Sequence, residues 1–137
     1  MNKIIITGHG LYATGIMSAL TTISGPKENI IGIDFTEKDT DITLCEKFKK
    51  NINNKDNYLI LCDLIGGTPY KEASKLSLIN KNIKVVTGVN LGAILDLSMK
   101  MEKLNIDELA KISIESSNKN LKVIELKIEK ENHNEGI

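Results

Sequence analysis

The sequence predicts an α/β fold, namely a doubly wound, mainly parallel sheet of strand order 2-1-3-4 with an added C-terminal edge strand and helices on both faces. Short aliphatic runs without polar alternation recur along the chain, as in strands that are covered on both sides. A stretch with helical spacing of apolar residues follows each of the first four runs. Strict alternation of strand and helix implies right-handed crossovers between parallel strands.

Length and charge limit the kind of molecule this is. The 137 residues suit a single domain, which we place at residues 1–130, followed by a polar tail over residues 131–137. Lysine plus arginine equals aspartate plus glutamate at 18 each, so no bulk positive field would attract nucleic acid, and we expect no nucleic-acid partner. All of the basic residues are lysine, which excludes mechanisms that depend on a guanidinium fork.

The cysteines and the apolar runs indicate a compartment. Cys45 and Cys62 are far apart and match no metal-ligand spacing, which is typical of buried thiols in a reducing environment. The first residues enter a strand pattern without a signal-peptide pattern, and no apolar run approaches the ~20 residues of a membrane helix. We therefore expect a soluble, cytoplasmic protein.

The elements follow in order along the chain. Strands are predicted where β-branched and aliphatic residues cluster between turn signals, at residues 3–7, 29–35, 58–62, 83–87 and 121–129. Helices are predicted where the spacing changes to three or four residues, at residues 11–23, 42–48, 69–79, 91–101 and 106–117. Gly8 is expected to break the first strand. Thr68 is the predicted N-cap of the third helix and Pro69 its first residue.

The predicted strand order fixes where chemistry belongs. Winding reverses between the first and third strands, and ligands bind in such sheets outside the carboxyl ends of those two strands. His9 follows the first strand and Asp63 follows the third, so the two side chains should lie close together. A carboxylate bonded to one imidazole nitrogen fixes the tautomer and leaves the other nitrogen as a lone pair.

The loops around this pair favour a phosphoryl group. Helices begin directly after both loops, so that unpaired amides and positive dipole ends face one crevice. The Thr68 hydroxyl could add a further donor. The glycines permit close approach of the backbone to phosphate, and we assign the cradling loops to Gly8, Gly10, Gly66 and Gly67.

Other chemistries fit this crevice less well. The glycine spacing does not match a dinucleotide-binding motif, and a histidine phosphatase would need an arginine. Asp63 and Thr87 sit where a response-regulator receiver has its functional residues, but the acidic pair after the first strand is missing. The only other histidine, His133, lies in the polar tail, so we expect no metal site and no cofactor. Taken one at a time, each of these features also has a purely structural explanation; together they leave His9 as a nucleophile for phosphoryl transfer.

Three segments carry a family resemblance. Residues 5–10, 62–70 and 86–91 resemble, in order and spacing, three markers of the mannose-family enzyme IIA (EIIA) domains of the bacterial phosphotransferase system (PTS). These are the active-site histidine segment, Asp-x-x-Gly-Gly-Ser/Thr-Pro-Phe, and the Gly-x-Asn after strand four. Ile65 stands where some relatives have Trp, and Tyr70 replaces the usual Phe.

The resemblance implies a phosphotransferase. His9 would accept a phosphoryl group from the histidine-containing phosphocarrier protein (HPr) and donate it to enzyme IIB, on the route to a sugar entering through the membrane permease (IIC/IID). Asp63 would orient His9, and Thr68 would form a hydrogen bond at the site. Members of the family are usually homodimers in which the last strand, here residues 121–128, joins the partner subunit's sheet.

Two other functions remain open on the same fold. One is the phosphotransfer subunit of a dihydroxyacetone kinase system, and the other is a non-catalytic regulatory module. The sugar does not touch such a domain. The Thr-Gly-His-Gly start and the last three residues look more like the amino-sugar (N-acetylgalactosamine) or hyaluronan-disaccharide branches than the mannose or sorbose ones.

Overall fold

Four parallel strands form the sheet in the computed structural model, which describes residues 1–128. Their order is β2-β1-β3-β4, as predicted, with the bounds β1 Asn2–His9, β2 Ile30–Phe35, β3 Asn57–Cys62 and β4 Ile83–Thr87. The ladders pair Thr7 with Ile33 on one side and with Cys62 on the other. The carboxyl ends of β1 and β3 therefore lie side by side.

Helices cover both faces of the sheet. Their bounds are α1 Tyr12–Ser24, α2 Asp41–Asn51, α3 Thr68–Ile79, α4 Leu91–Lys100 and α5 Ile106–Asn120. The first, fourth and fifth helices pack on one face, and the second and third on the other. None of the helices within residues 1–128 is long and apolar enough to span a membrane.

Aliphatic side chains of the strands form the core on both faces. Ile4 and Ile6 belong to the cluster under α1, α4 and α5, whereas Ile5 points into the cluster under α2 and α3. All three are fully buried. Because successive strand residues point to opposite faces, a strand covered on both sides shows a continuous apolar run, which is why alternation is missing from the sequence.

The predicted edge strand is not formed within the single chain. Residues 121–128 have no strand pairing among the described residues, and α5 ends at Asn120, three residues beyond the predicted 117. A strand forms only when another strand pairs with it through hydrogen bonds, and residues 121–128 have no such partner among the described residues. The large aliphatic side chains of this segment are exposed: Leu121, Val123, Ile124, Leu126 and Ile128. The last predicted strand residue, Glu129, and the tail over residues 131–137 lie outside the described residues.

Two predicted boundaries near the sheet's carboxyl end are wrong. β1 continues through Gly8 to His9, because Gly8 pairs with Asp34 in the ladder with β2. The N-cap of α3 is Gly67, in an extended conformation, so Thr68 is already the first helical residue. Glycine is among the residues accepted at an N-cap, and its small size is required here by the His9 ring, as described below.

Candidate active site

His9 and Asp63 meet at the reversal of the sheet's winding. His9 is the last residue of β1, and Asp63 directly follows β3. The ring Nδ1 lies 2.7 Å from Asp63 Oδ2. The imidazole is 46% exposed and the carboxylate 11%. A solvent-accessible ring is thus hydrogen-bonded to a largely buried carboxylate.

Asp63 is fixed by the backbone around it. Its own N–H donates to the Thr7 carbonyl at 3.1 Å. Its Oδ2 also accepts the His9 backbone N–H at 2.9 Å, and its Oδ1 accepts the Leu64 N–H at 2.9 Å. Partial burial raises the pKa of this carboxyl, but the hydrogen bonds from His9 and Leu64 outweigh burial and bring the pKa below its ordinary value. Asp63 is therefore ionised at neutral pH.

The charge of Asp63 determines the tautomer of His9. An ionised carboxylate can only accept hydrogen bonds, so the proton of a neutral imidazole must be on Nδ1. The lone pair is then on Nε2. The ring presents to its surroundings a nitrogen that is able to act as a nucleophile.

Two glycines allow this arrangement by their lack of a side chain. A Cβ on Gly8 would lie 2.5 Å from Tyr12 Cδ1 and 2.8 Å from Asp63 Cβ. A Cβ on Gly67 would lie 2.6 Å from His9 Cε1 and 3.2 Å from Nε2. All three distances to carbon atoms are too short for real side chains. The amino end of α3 therefore packs directly against the imidazole.

The neighbouring strand adds a contact that the sequence reasoning did not include. The Phe35 ring meets the His9 ring edge-on, with centroids 5.8 Å apart and an interplanar angle of 89°. The Phe35 carbonyl accepts the Gly10 N–H at 2.7 Å, and Gly10 has a φ of 61°, in the region that favours glycine. The pairing of β2 with β1 in the predicted strand order was the available signal for this contact.

The amino ends of the two helices at the crevice differ. Within the described part of the chain no side chain caps α3, so its first amides are available. Thr68 is half-buried there, and no hydrogen bond of its hydroxyl occurs among the described residues. At α1 the cap position is Leu11, an apolar residue, and the Asp34 carboxylate from β2 accepts the Thr14 N–H at 3.0 Å. The expectation of two uncapped positive ends thus holds for α3 but not for α1.

The third segment of the family resemblance, residues 86–91, has a structural role at the edge of the site. Gly88, with a φ of 78°, donates its N–H to the Cys62 carbonyl at 3.1 Å and so holds the end of β4 beside Asp63. Asn90 caps α4 by accepting the Ala93 N–H at 3.1 Å and also donates to the Ser117 carbonyl at 2.9 Å. The marker therefore joins the site's edge to the last turns of α5.

Other candidate groups contribute no further chemistry. Burial, and to a lesser degree the charge of Asp63, raises the pKa of the Cys62 thiol to about 12, which keeps it protonated. Within residues 1–128 no group of three or more His, Cys, Asp or Glu side chains is arranged to hold a metal ion. His133 lies outside the described residues.

Exposed apolar side chains follow His9 and Asp63 closely in the sequence. Leu11 is 70% exposed, Leu64 51% and Ile65 71%, although all three are large aliphatic residues. Leu11 lies two residues beyond His9, and the other two follow Asp63 directly. We call these three residues the apolar rim. Such a cluster on a surface is typical of a site where another protein docks.

Comparison with known proteins identifies the family. The family model EIIA-man, described as the PTS system fructose IIA component, matches residues 3–114. The chain belongs to the mannose family of PTS EIIA domains. The fructose-specific EIIA component of Bacillus subtilis (strain 168) is 30% identical to this EIIA domain over 112 residues, which are 80% of the chain and 77% of that protein.

A solved structure and a longer relative extend the comparison. The crystal structure of an EIIA component from Streptococcus agalactiae superposes with a TM-score of 0.85 at 31% identity, covering 90% of this chain and 97% of that one. The mannose-specific EIIAB component of Escherichia coli (strain K12) is 28% identical over 128 residues. The EIIA domain spans only 40% of that relative's length. These findings identify the chain as an EIIA domain of the mannose family of the PTS.

Proposed function

We propose that His9 of this EIIA domain accepts a phosphoryl group from HPr and passes it to enzyme IIB, for sugar uptake through the permease IIC/IID. The observation that carries the proposal is the 2.7 Å contact between Nδ1 and Asp63 Oδ2, which leaves an accessible Nε2 with a lone pair. Because these partners act on the inner side of the membrane, we place the domain in the cytoplasm.

The chemical step follows from the tautomer. The Nε2 lone pair of His9 attacks the phosphorus of a phosphohistidine on the donor, and a new N–P bond forms. The donor's N–P bond breaks, and its electron pair returns to the donor nitrogen. Nδ1 keeps its proton, so positive charge develops on the His9 ring beside the ionised Asp63 carboxylate. Asp63 therefore stabilises the product ring electrostatically, and onward transfer to IIB reverses these roles.

The amino end of α3 is the best-placed group to receive the phosphoryl oxygens. Gly67 packs against the ring near Nε2, and the uncapped amides of the helix follow directly. Helix amino ends bind phosphate through such amides and through the helix dipole. The Thr68 hydroxyl, at the first helical position, is the side chain we propose for an additional hydrogen bond. Since the chain has no arginine, any guanidinium must come from a partner.

The apolar rim gives the partners a place to dock. Both HPr and IIB must bring a histidine to the same Nε2, so they must use the same surface in turn. A small apolar contact area permits binding and rapid release, which a shuttle needs. The exposure of all three rim residues supports this use of the surface.

We also propose that the domain is a homodimer through residues 121–128, which we call the arm. The five large aliphatic side chains of the arm are exposed in the single chain. Among the described residues β4 pairs only with β3, so its outer edge is open. An apolar segment and an unpaired strand edge both require cover, and a second copy supplies each with its counterpart.

The match to the EIIA family model favours sugar phosphotransfer over the dihydroxyacetone kinase and regulatory alternatives. The test is incubation with phosphoenolpyruvate, enzyme I and HPr, followed by detection of an acid-labile, base-stable phosphate. His9→Ala should abolish labelling. His133→Ala is the matched control, since the chain has only two histidines, and it should be labelled like the wild type. Undiminished labelling of His9→Ala would overturn the proposal.

A further inference from the structure

We propose that Asp34 lowers the stability of phosphorylated His9 and so favours onward transfer of the phosphoryl group. The inference rests on the proposed function of His9. Asp34 is a positioning residue in this scheme, because it acts through the helix that follows His9 and through its charge rather than by touching the reacting atoms.

Asp34, which lies on the neighbouring strand β2, caps the amino end of α1 with its side chain. It is the penultimate residue of β2 and pairs with Gly8 in the ladder with β1. One carboxylate oxygen accepts the Thr14 N–H at 3.0 Å, and the other accepts the Thr14 hydroxyl at 2.7 Å. The cap position of the helix itself holds Leu11, which has no group that could do this. A carboxylate thus lies against the amino end of the helix that starts at the His9 loop.

This carboxylate changes the field at the site. A negative charge at the amino end of α1 cancels the positive dipole that would otherwise face the crevice. Gly8 is then flanked by carboxylate-bearing residues, Asp34 on the β2 side and Asp63 on the β3 side. A phosphoryl group on Nε2 adds two negative charges to this region. Of the two helix ends at the crevice, the amino end of α3 is then the one that stabilises them.

Lys47, which contacts the backbone of Asp34, does not neutralise the Asp34 carboxylate. Lys47 Nζ donates to the backbone carbonyl of Asp34 at 3.0 Å, but its charge is paired with the Asp39 carboxylate at 2.8 Å. The hydrogen bond to Lys47 and that from the Thr36 N–H hold the pKa of Asp39 well below its usual range, so this pair is charged on both sides. The negative charge of Asp34 is therefore uncompensated by its neighbours on β2 and α2.

A shuttle benefits from such a charge. A phosphoryl group that is bound too favourably would remain on His9, whereas a carrier must release it to the next protein. Asp63 stabilises the imidazolium ring through a direct hydrogen bond, whereas Asp34 opposes the phosphoryl charge through its own charge at the amino end of α1. The two acidic residues thus have opposite effects on the phosphorylated state.

The experiment measures the equilibrium constant for phosphoryl exchange between HPr and the domain at low and high salt. Asp34→Asn removes the charge and keeps the shape, and we expect it to favour phosphorylated His9 by about threefold, an effect that shrinks as salt rises. Asp34→Ser is a second neutral variant, for use if Asp34→Asn does not fold. Asp34→Glu keeps the charge with altered geometry, and Thr14→Val removes one hydrogen bond but no charge. Both should behave like the wild type.

Four outcomes distinguish the possibilities. A shift in the neutral variants alone supports the inference. An unchanged equilibrium in the neutral variants overturns it, as does an equal shift in Asp34→Glu and Thr14→Val, which would show that Asp34 matters only for structure. If the wild type itself takes up no phosphate on His9, the proposed function fails, and that result is seen before any variant is compared.

Discussion

Replacing Asp63 by Asn removes the charge beside the His9 ring and changes little else in size. Asp63 Oδ2 accepts two hydrogen bonds from His9, at 2.9 and 2.7 Å, and Oδ1 accepts one from Leu64. An amide that keeps its oxygen toward His9 must turn its NH₂ toward the Leu64 N–H, so one bond is lost. The bond to the ring loses its charge assistance, which is worth about 1–1.5 kcal/mol, the difference between a charged and a neutral hydrogen bond.

That loss applies mainly where positive charge develops on the ring during transfer. We therefore expect Asp63→Asn to slow phosphoryl transfer from HPr by about 5- to 10-fold. The loss of the Leu64 bond should lower the free energy of unfolding by only about 1 kcal/mol. The assay is rapid-quench labelling with phosphorylated HPr, together with urea unfolding of the same samples.

The matched control is Asp56→Asn. Asp56 is a carboxylate paired with Lys3 at 3.1 Å, at the opposite end of β1 from His9. Its replacement should leave the transfer rate unchanged. The reasoning is refuted if Asp63→Asn transfers as fast as the wild type while remaining folded, or if the two variants slow transfer equally.

Three further predictions concern the site and the assembly. Gly67→Ala should displace the His9 ring, since the added Cβ would lie 2.6 Å from Cε1, and should slow labelling at least about tenfold. Its control is Gly15→Ala, where no atom lies within 4 Å of the added Cβ. That variant should label normally and be more stable by about 0.5–1 kcal/mol in thermal unfolding. Deleting residues 121–137 should give a monomer in analytical ultracentrifugation. A truncated protein that still sediments as a dimer would contradict the proposed role of the arm. Because the folded pKa of Asp63 is lowered from 3.8, its stabilisation is present above that value and is lost as the pH falls through the folded pKa. The stability gap between the wild type and Asp63→Asn should accordingly close in acid, and a gap independent of pH would count against the ionised pair.

The sequence was sufficient for the parts of the fold that depend on local pattern. Continuous aliphatic runs such as that around Ile5 mark strands covered on both faces, and their alternation with helices leaves few strand orders. The order in turn predicted that His9 and Asp63 would lie together, since they follow the two strands between which winding reverses. The structure places their side chains 2.7 Å apart.

The remaining features depend on contacts between distant segments. The need for a glycine at position 67, the cap of α3, follows from the space taken by the His9 ring, which no local propensity encodes. The capping of α1 by Asp34 requires the register of β2 against β1. The arm has the composition of a strand, but pairing requires an edge that its own chain does not bring to it.

The most direct test of the central claim is ³¹P and ¹⁵N NMR of the phosphorylated domain, which identifies the nitrogen that bears the phosphoryl group. The hydrogen bond from Nδ1 to Asp63 predicts a single phosphoryl group on Nε2 of His9, with Nδ1 still protonated. A phosphoryl group on Nδ1, or on a residue other than His9, would contradict the account.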